Sequence, residues 1–186
     1  GKARFTDPET VMVGDEISIK ARRYVIAAGS SPALPDIPGL ESTPHYTNET
    51  IFDLGVRPEH LVILGAGAMG IELAQAYRRL GAAVTIFDVA QPLAREDAEC
   101  ARVVLNQLLR EGIELRSNCS VERVESEGTK VKLVVRGEAG AETVGGSHLL
   151  LATGRRANID RLGLDQAGIH YNTRGIVVDS GLKTAN

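Results

Sequence analysis

Leu61-Val62-Ile63-Leu64-Gly65-Ala66-Gly67-Ala68-Met69-Gly70-Ile71-Glu72-Leu73-Ala74 is the stretch that decides how this chain folds. Apolar residues 61–64 run directly into a GxGxxG turn. A helical pattern through Ile71, Ala74, Tyr77 and Leu80 then continues as far as Gly81. A second apolar run, Ala83–Phe87, closes on Asp88. Strand, glycine turn, helix, and a second strand ending on an acid form the dinucleotide-binding fingerprint. Its glycines have separate tasks. Gly65 permits the tight turn, Gly67 lets a pyrophosphate approach the backbone, and Gly70 lets helix and strand pack closely. The helix N-terminus offers unpaired N–H groups and the positive end of its dipole to the phosphates. Asp88, 18 residues beyond Gly70, is placed to accept bonds from the hydroxyls of an adenosine ribose. A lone GxGxxG is a weak signal, and it is this context that strengthens it.

Working outward, residues 3–6, 10–13 and 16–20 read as a small antiparallel meander, separated by the turn signals Asp7-Pro8 and Gly14-Asp15. Residues 23–32 read as a buried strand broken at Gly29. Pro32, Pro35 and Pro38 then make a stiff connector, the best candidate boundary in the chain. A short helix is expected within residues 47–54, capped by Thr47 or Asn48. Beyond Asp88, residues 95–110 read as an amphipathic helix with Val103, Val104, Leu105, Leu108 and Leu109 inward, stopped by Gly112. A strand over 113–116 follows, then a second meander over 120–125, 130–136 and 141–144. Lys130-Val131-Lys132-Leu133-Val134 alternates, so one face of that meander is solvated. Residues 148–157 again give a buried strand stopping at a glycine, and residues 175–179 give one more strand.

Composition narrows the class. Hydrophobic residues at 43% and charged residues at 24% suit a soluble globular protein. A net charge of −3 provides no basic footprint, so nucleic acid is not an expected partner. No apolar run is long enough to cross a bilayer, and the N-terminus shows no signal-peptide pattern. The expectation is a cytoplasmic protein with no membrane partner. Aromatics are only 4% and Trp is absent, so the core must be aliphatic, as buried parallel strands favour. Cys100 and Cys119 fit neither a metal cluster nor a CxxC pair and read as buried or partly buried thiols. His45, His60, His148 and His170 are scattered and read as surface or strand-edge residues, so no metal site is expected. Glu96, Asp97 and Glu99 read as the solvated start of a helix.

The meander-plus-strand cassette occurs twice, each copy ending in Ala-x-Gly at Ala27-Ala28-Gly29 and Ala152-Thr153-Gly154. The repeat reads as two similar units joined in sequence, and the expectation is a fragment of a larger protein with two nucleotide sites. The chain resembles the central part of the FAD-dependent pyridine nucleotide–disulfide oxidoreductases, the group of dihydrolipoamide dehydrogenase, mercuric reductase and glutathione reductase. The anchors are Val25-Ile26-Ala27-Ala28-Gly29-Ser30, Ile37-Pro38-Gly39, the Gly65–Gly70 turn with Ile71-Glu72, Val84-Thr85-Ile86-Phe87-Asp88, and Ala152-Thr153-Gly154-Arg155-Arg156-Ala157-Asn158. The resemblance spans nearly the whole chain.

The resemblance implies an α/β fold: a Rossmann-like three-layer NAD-binding domain, with a parallel sheet and an antiparallel β-meander, flanked by partial FAD-domain segments. It assigns residues 1–39 to the end of a first FAD segment, 40–154 to the NAD(H) domain and 155–186 to the return into the FAD domain. It implies hydride passage between nicotinamide and FAD, coupled to a redox disulfide, in a homodimer formed through a C-terminal domain outside this sequence. By position, Gly65, Gly67 and Gly70 would hold the NAD pyrophosphate, with Ala66, Ala68 and Met69 also at the NAD site and Ala68 too small to gate the nicotinamide pocket. Glu72 would approach the nicotinamide carboxamide, unless it is simply a first-turn acid favoured by the helix dipole. Asp88 would bind the adenosine ribose and, by repelling a 2′-phosphate, favour NAD(H) over NADP(H). Arg95 would soften that repulsion, or else lie on a solvated loop. Val121 would face the adenine, or serve only as strand core. Gly154 would lie near the nicotinamide ribose, and Ala28 and Gly29 near flavin in the longer protein.

The sequence departs from the family pattern in several places. It has no CxxxxC pair, no C-terminal His-x-x-x-x-Glu base and no FAD glycine motif, and Ala157 stands where many relatives have Pro. The chain alone is therefore not expected to catalyse disulfide reduction, and no catalytic residue is assigned within it. Two other readings remain open at this level: a non-catalytic nucleotide-sensing module, and a methyltransferase using a related glycine turn. The second meander and the Ala-Thr-Gly-Arg cassette argue against the methyltransferase.

Overall fold

The computed structural model describes residues 1–128 and 130–186. In chain order the elements are β1 (Ala3–Asp7), β2 (Thr10–Val13), β3 (Ile17–Lys20), β4 (Ser30–Pro32), β5 (His60–Leu64), α1 (Ala68–Arg79), β6 (Ala83–Phe87), α2 (Ala98–Arg110), β7 (Glu114–Arg116), β8 (Ser120–Glu127), β9 (Lys130–Gly137), β10 (Gly140–Gly146), β11 (His148–Leu151), β12 (Arg155–Ala157), β13 (Tyr171–Asn172) and β14 (Gly175–Ile176). Contacts divide them into two compact units, residues 32–154 and residues 1–31 with 155–186.

The 32–154 unit is built in three layers. Its centre is a parallel sheet in the order β11-β5-β6-β7. Alternation along each strand sends residues to opposite faces. Leu61, Ile63, Val84, Ile86 and Leu150 pack with Ile71, Ala74, Ala101 and Leu108 of the helices. Val62, Leu64, Phe87, Leu149 and Leu151 pack with Val124, Val131, Leu133 and Val135 of the antiparallel sheet β10-β9-β8. The central strands are covered on both faces, which is why they read as unbroken apolar runs. Tyr46 bridges to β11, its N–H donating to Leu149 O (2.8 Å) and its carbonyl accepting from Leu151 N–H (2.8 Å).

α1 and α2 are joined at their C-terminal ends by Glu111. Its carboxylate accepts from Arg79 (2.7 Å), Gln75 (3.0 Å) and Gln107 (2.9 Å), and Arg78 donates to its carbonyl (2.7 Å). The Arg79 guanidinium holds the Glu111 carboxyl at about 2, from an ordinary 4.5.

α2 differs from expectation in start and facing. Asp97 caps it, accepting from Glu99 N–H and Cys100 N–H (both 3.0 Å), so the helix begins at Ala98 instead of residue 95. At roughly 100° per residue, Ala101, Leu105 and Leu108 share an arc of about 60°, and this arc faces the core. Val104 and Leu109 fall at its margins and Val103 on the far side, so all three are exposed. Cys100 is also exposed, outside that arc, whereas Cys119 is buried.

In the other unit, β1-β2-β3 form a meander, β12 pairs with β4, and β13-β14 form a hairpin. Phe5, Leu164, Ala167 and Ile169 make its core, with the Tyr24 ring edge-on to Phe5 at 5.2 Å. The buried strand expected over 23–32 is not formed. Only Ser30–Pro32 is strand, and Val25 is 92% exposed. A buried strand needs its backbone groups taken by neighbours on both sides, and among the described residues no strand pairs with residues 24–29. Two other expectations shorten. A 3-10 turn, Ile51–Asp53, stands in place of the helix over 47–54, with Thr47 O accepting from Ile51 N–H. The last strand covers Gly175–Ile176 instead of 175–179.

Candidate functional site

All four parallel strands end on one edge of the sheet. After β5 the chain moves to β6 and β7, while β11 lies on the other side of β5. The glycine turn thus sits where the strand order reverses, the position at which open α/β sheets bind ligands. A cleft of about 680 Å³ runs along this edge. It is lined by residues 64–68, 87–91, 93–96, 119–121 and 152–154, with Pro35 and Ile37.

The three motif glycines are not equivalent. A Cβ on Gly65, whose φ is +106°, would meet Ala152 O at 2.3 Å. A Cβ on Gly70 would meet Gly65 O at 2.0 Å. Both glycines are demanded by the packing of the turn itself. A Cβ on Gly67 would have nothing within 4 Å, and its φ of −74° is open to any residue. The fold does not require a glycine there. The need arises only if something else approaches the backbone from the cleft.

What the cleft can receive follows from its donors. Gly67 is the N-cap of α1 and no side chain caps it, so first-turn N–H groups face the cleft unsatisfied by the protein. An anion placed there gains both those donors and the helix dipole. On the opposite wall, Asp88 Oδ2 accepts from Ala66 N–H (2.6 Å) and Oδ1 from Ala90 N–H (2.8 Å). The acid is thereby held against the turn, and each oxygen keeps a further lone pair for a ligand hydroxyl. Cys119, on the same wall, donates its S–H to Arg116 O (3.2 Å), and burial pushes its thiol above the ordinary range. A loop carrying Arg95 and Glu96 closes one side, both exposed. Gly154, at a φ of +117°, ends the third wall, where Thr153 Oγ1 donates to Ala33 O (2.8 Å) and Ala33 N–H to Gly154 O (3.0 Å). An elongated ligand with a dianionic centre and a hydroxyl-bearing end matches this arrangement, and a nicotinamide dinucleotide has both.

The family model for pyridine nucleotide–disulphide oxidoreductases matches residues 1–186. The chain belongs to that family. Within it, the chain is 37% identical over 191 residues to a mercuric reductase of Streptomyces lividans, covering 100% of this chain and 40% of that protein. It is 36% identical over 189 residues to a mercuric reductase of Lysinibacillus sphaericus, covering 100% of this chain and 34% of that protein. Among solved structures, the Cu(II) complex of the HOCl-induced flavoprotein disulfide reductase RclA from Escherichia coli superposes with a TM-score of 0.88 at 31% identity, over 100% of this chain and 42% of that one. The chain thus spans less than half the length of these relatives.

Of the residues expected at the NAD site, Gly65, Ala66, Gly67, Ala68, Asp88, Val121 and Gly154 line the one cleft. Gly70 lies behind the turn, buried. Met69 packs against the helix-side core and Glu72 is exposed; neither lines the cleft. Ala28 and Gly29 belong to the other unit, where their carbonyls accept from Asn158 Nδ2 (3.1 Å) and Asn158 N–H (3.0 Å). Among the described residues that unit has no α-helix, so it builds no helix N-terminus for a second pyrophosphate.

Sequence reasoning missed Pro35, Ile37, Leu93, Cys119 and Thr153 as cleft residues. Ile37, an apolar residue set between prolines, was the one available signal that the connector is docked. It packs on the meander-side core, and Val124 N–H donates to Pro38 O (2.9 Å). His45, His60 and His148 are half-buried and His170 is exposed, and burial lowers the His148 pKa. Among the described residues no group of His, Cys, Asp or Glu is placed to hold a metal ion, and no helix is long and apolar enough to cross a membrane.

Proposed function

We infer that residues 40–154 are the NAD(H)-binding domain of a cytoplasmic flavoprotein oxidoreductase, with residues 1–39 and 155–186 contributing to its FAD domain. The whole protein passes hydride between nicotinamide and FAD and couples it to a redox disulfide, as dihydrolipoamide dehydrogenase-like enzymes do, and it acts as a homodimer. Bound dinucleotide supplies the hydride. This chain's residues position it: the turn N–H groups take the pyrophosphate, Asp88 takes the adenosine ribose, and Val121 and Gly154 flank the two ends. The chain alone, without a CxxxxC pair, reduces no disulfide. Two of the relatives are mercuric reductases, and among the described residues no group of His, Cys, Asp or Glu is placed to hold a metal ion.

The observation that carries this reading is Gly67, the one motif glycine whose side of the turn is open space. Asp88 supports NADH over NADPH, since a carboxylate beside the ribose repels a 2′-phosphate. Titrating the chain with NADH and NADPH by fluorescence tests both statements. Binding of neither by a chain shown to be folded overturns the dinucleotide reading. Tighter binding of NADPH overturns only the role given to Asp88.

A further inference from the structure

The glycine turn is held by a strained residue to which no role has been given. Leu93 has a φ of +52°, a left-handed conformation that a bulky side chain rarely adopts. Its side chain is buried in the helix-side core. Its N–H donates to Ala66 O at 3.0 Å, and its own carbonyl accepts from Glu96 N–H at 2.9 Å. Strain of this kind persists only where the surroundings over-determine it. Here the leucyl anchor on one side and the Ala66 carbonyl on the other do so.

The bond matters because of what shares its peptide. A peptide unit is planar and trans, so its N–H points opposite its C=O. Ala66 C=O and Gly67 N–H belong to one such unit. Leu93 takes the carbonyl, and Gly67 N–H is therefore turned away from Leu93. Among the described residues that N–H has no acceptor. The rest of the turn is already committed: Gly65 N–H to Phe87 O (2.8 Å), Ala66 N–H to Asp88 Oδ2, and Gly67 O to Ile71 N–H (3.0 Å). The loop after β6 thus fixes both peptide planes of the turn, the first through Asp88 and the second through Leu93.

We propose that Leu93 is the positioning residue for the pyrophosphate, aiming Gly67 N–H at it through the Ala66 carbonyl. The proposal rests on the dinucleotide reading and deepens it. It predicts a ligand-selective effect. Leu93→Gly keeps the N–H and tolerates the positive φ but releases the anchor, so the peptide plane can swing. Its affinity for ADP-ribose should fall about tenfold, the loss of one well-aimed donor to a charged group, while its affinity for adenosine stays within about twofold. Leu93→Met, which retains an apolar anchor, should restore the ADP-ribose affinity. A merely structural role would weaken both ligands alike.

A measurement on the unaltered chain covers the case in which Leu93→Gly does not fold. Coupling is reciprocal, so a ligand that needs the Leu93–Ala66 bond must hold it closed. Saturating ADP-ribose should slow hydrogen exchange at Leu93 N–H at least about tenfold more than saturating adenosine does. Equal protection by the two ligands, or equal affinities for ADP-ribose in Leu93→Gly and the unaltered chain, overturns the proposal. If the unaltered chain binds neither ligand, the dinucleotide reading itself fails, and this proposal with it.

Discussion

Replacing Gly67 and Gly70 separately by alanine divides what the fold needs from what a ligand needs. At Gly70 the new methyl carbon would stand 2.0 Å from Gly65 O, a backbone atom that cannot swing aside. Overpacking of this kind costs about 3 kcal/mol, the upper part of its usual range. For a chain of 186 residues this lowers the melting temperature by about 6–12 °C. At Gly67 the methyl meets nothing within 4 Å and φ is −74°. Two small terms oppose each other there. Restricting the unfolded chain stabilises by about 0.4–1 kcal/mol, and alanine at an N-cap costs about 1 kcal/mol. Gly67→Ala should therefore melt within about 3 °C of the unaltered chain.

Binding should run the other way. A methyl on Gly67 projects into the cleft and pushes a pyrophosphate off the N–H groups of the α1 N-terminus. Losing one hydrogen bond to a charged group, worth about 1.5–3 kcal/mol, weakens NADH binding by about ten- to a hundredfold, and losing two weakens it further. Differential scanning fluorimetry and NADH titration on the same samples give both readouts. Gly67→Ala that binds NADH as well as the unaltered chain would refute the assignment of the turn to the pyrophosphate. A large fall in its melting temperature would refute the claim that the fold leaves that position free.

Three further outcomes follow from the packing. Glu111, held at about 2 by the Arg79 guanidinium, contributes stability that is complete above its unfolded value of 4.5 and is lost as pH falls from there towards 2; Glu111→Gln should flatten that part of the pH–stability curve, as followed by circular dichroism. On α2, Leu108→Ala should cost about 2–5 kcal/mol because Leu108 is fully buried. Val103→Ala, 66% exposed at the unaltered residue, should stay within about 0.5 kcal/mol in urea unfolding. Thr85, buried in β6, lies 2.9 Å from both His60 Nε2 and Glu114 Oε2. Thr85→Val leaves those partners facing a methyl and should cost about 1–3 kcal/mol in the same assay.

The β5–α1–β6 unit was legible almost to the residue. Ala83–Phe87 is the strand read from the sequence, and β5 differs from the 61–64 reading only by His60. Its signals are local: an apolar run, a turn residue with no alternative, and a 3.6-residue period. Where burial depended on a distant partner, local signals misled. Residues 23–29 carry the composition of a core strand but, among the described residues, have no strand beside them, and Val103, Val104 and Leu109 carry the composition of a core face but lie off the arc that meets the sheet. Cleft residues divide in the same way. Gly65, Gly67 and Asp88 were read from spacing, and Val121 and Gly154 only through family resemblance. Pro35, Leu93 and Cys119 come from irregular segments with no period to read.

Local chemistry in the chain was enough to specify the parallel βαβ unit, the aliphatic core and the need for glycine at a tight turn, because each follows from the conformational limits of residues near one another in sequence. Which glycine serves the fold and which is left for a ligand was settled by atoms far along the chain. Ala152 O stands against Gly65, and no atom stands against Gly67. The same holds for Leu93, whose N–H reaches back to Ala66 O only once the loop has closed over the turn. Close approach between separate segments is a property of packing in three dimensions, and no spacing along one dimension encodes it.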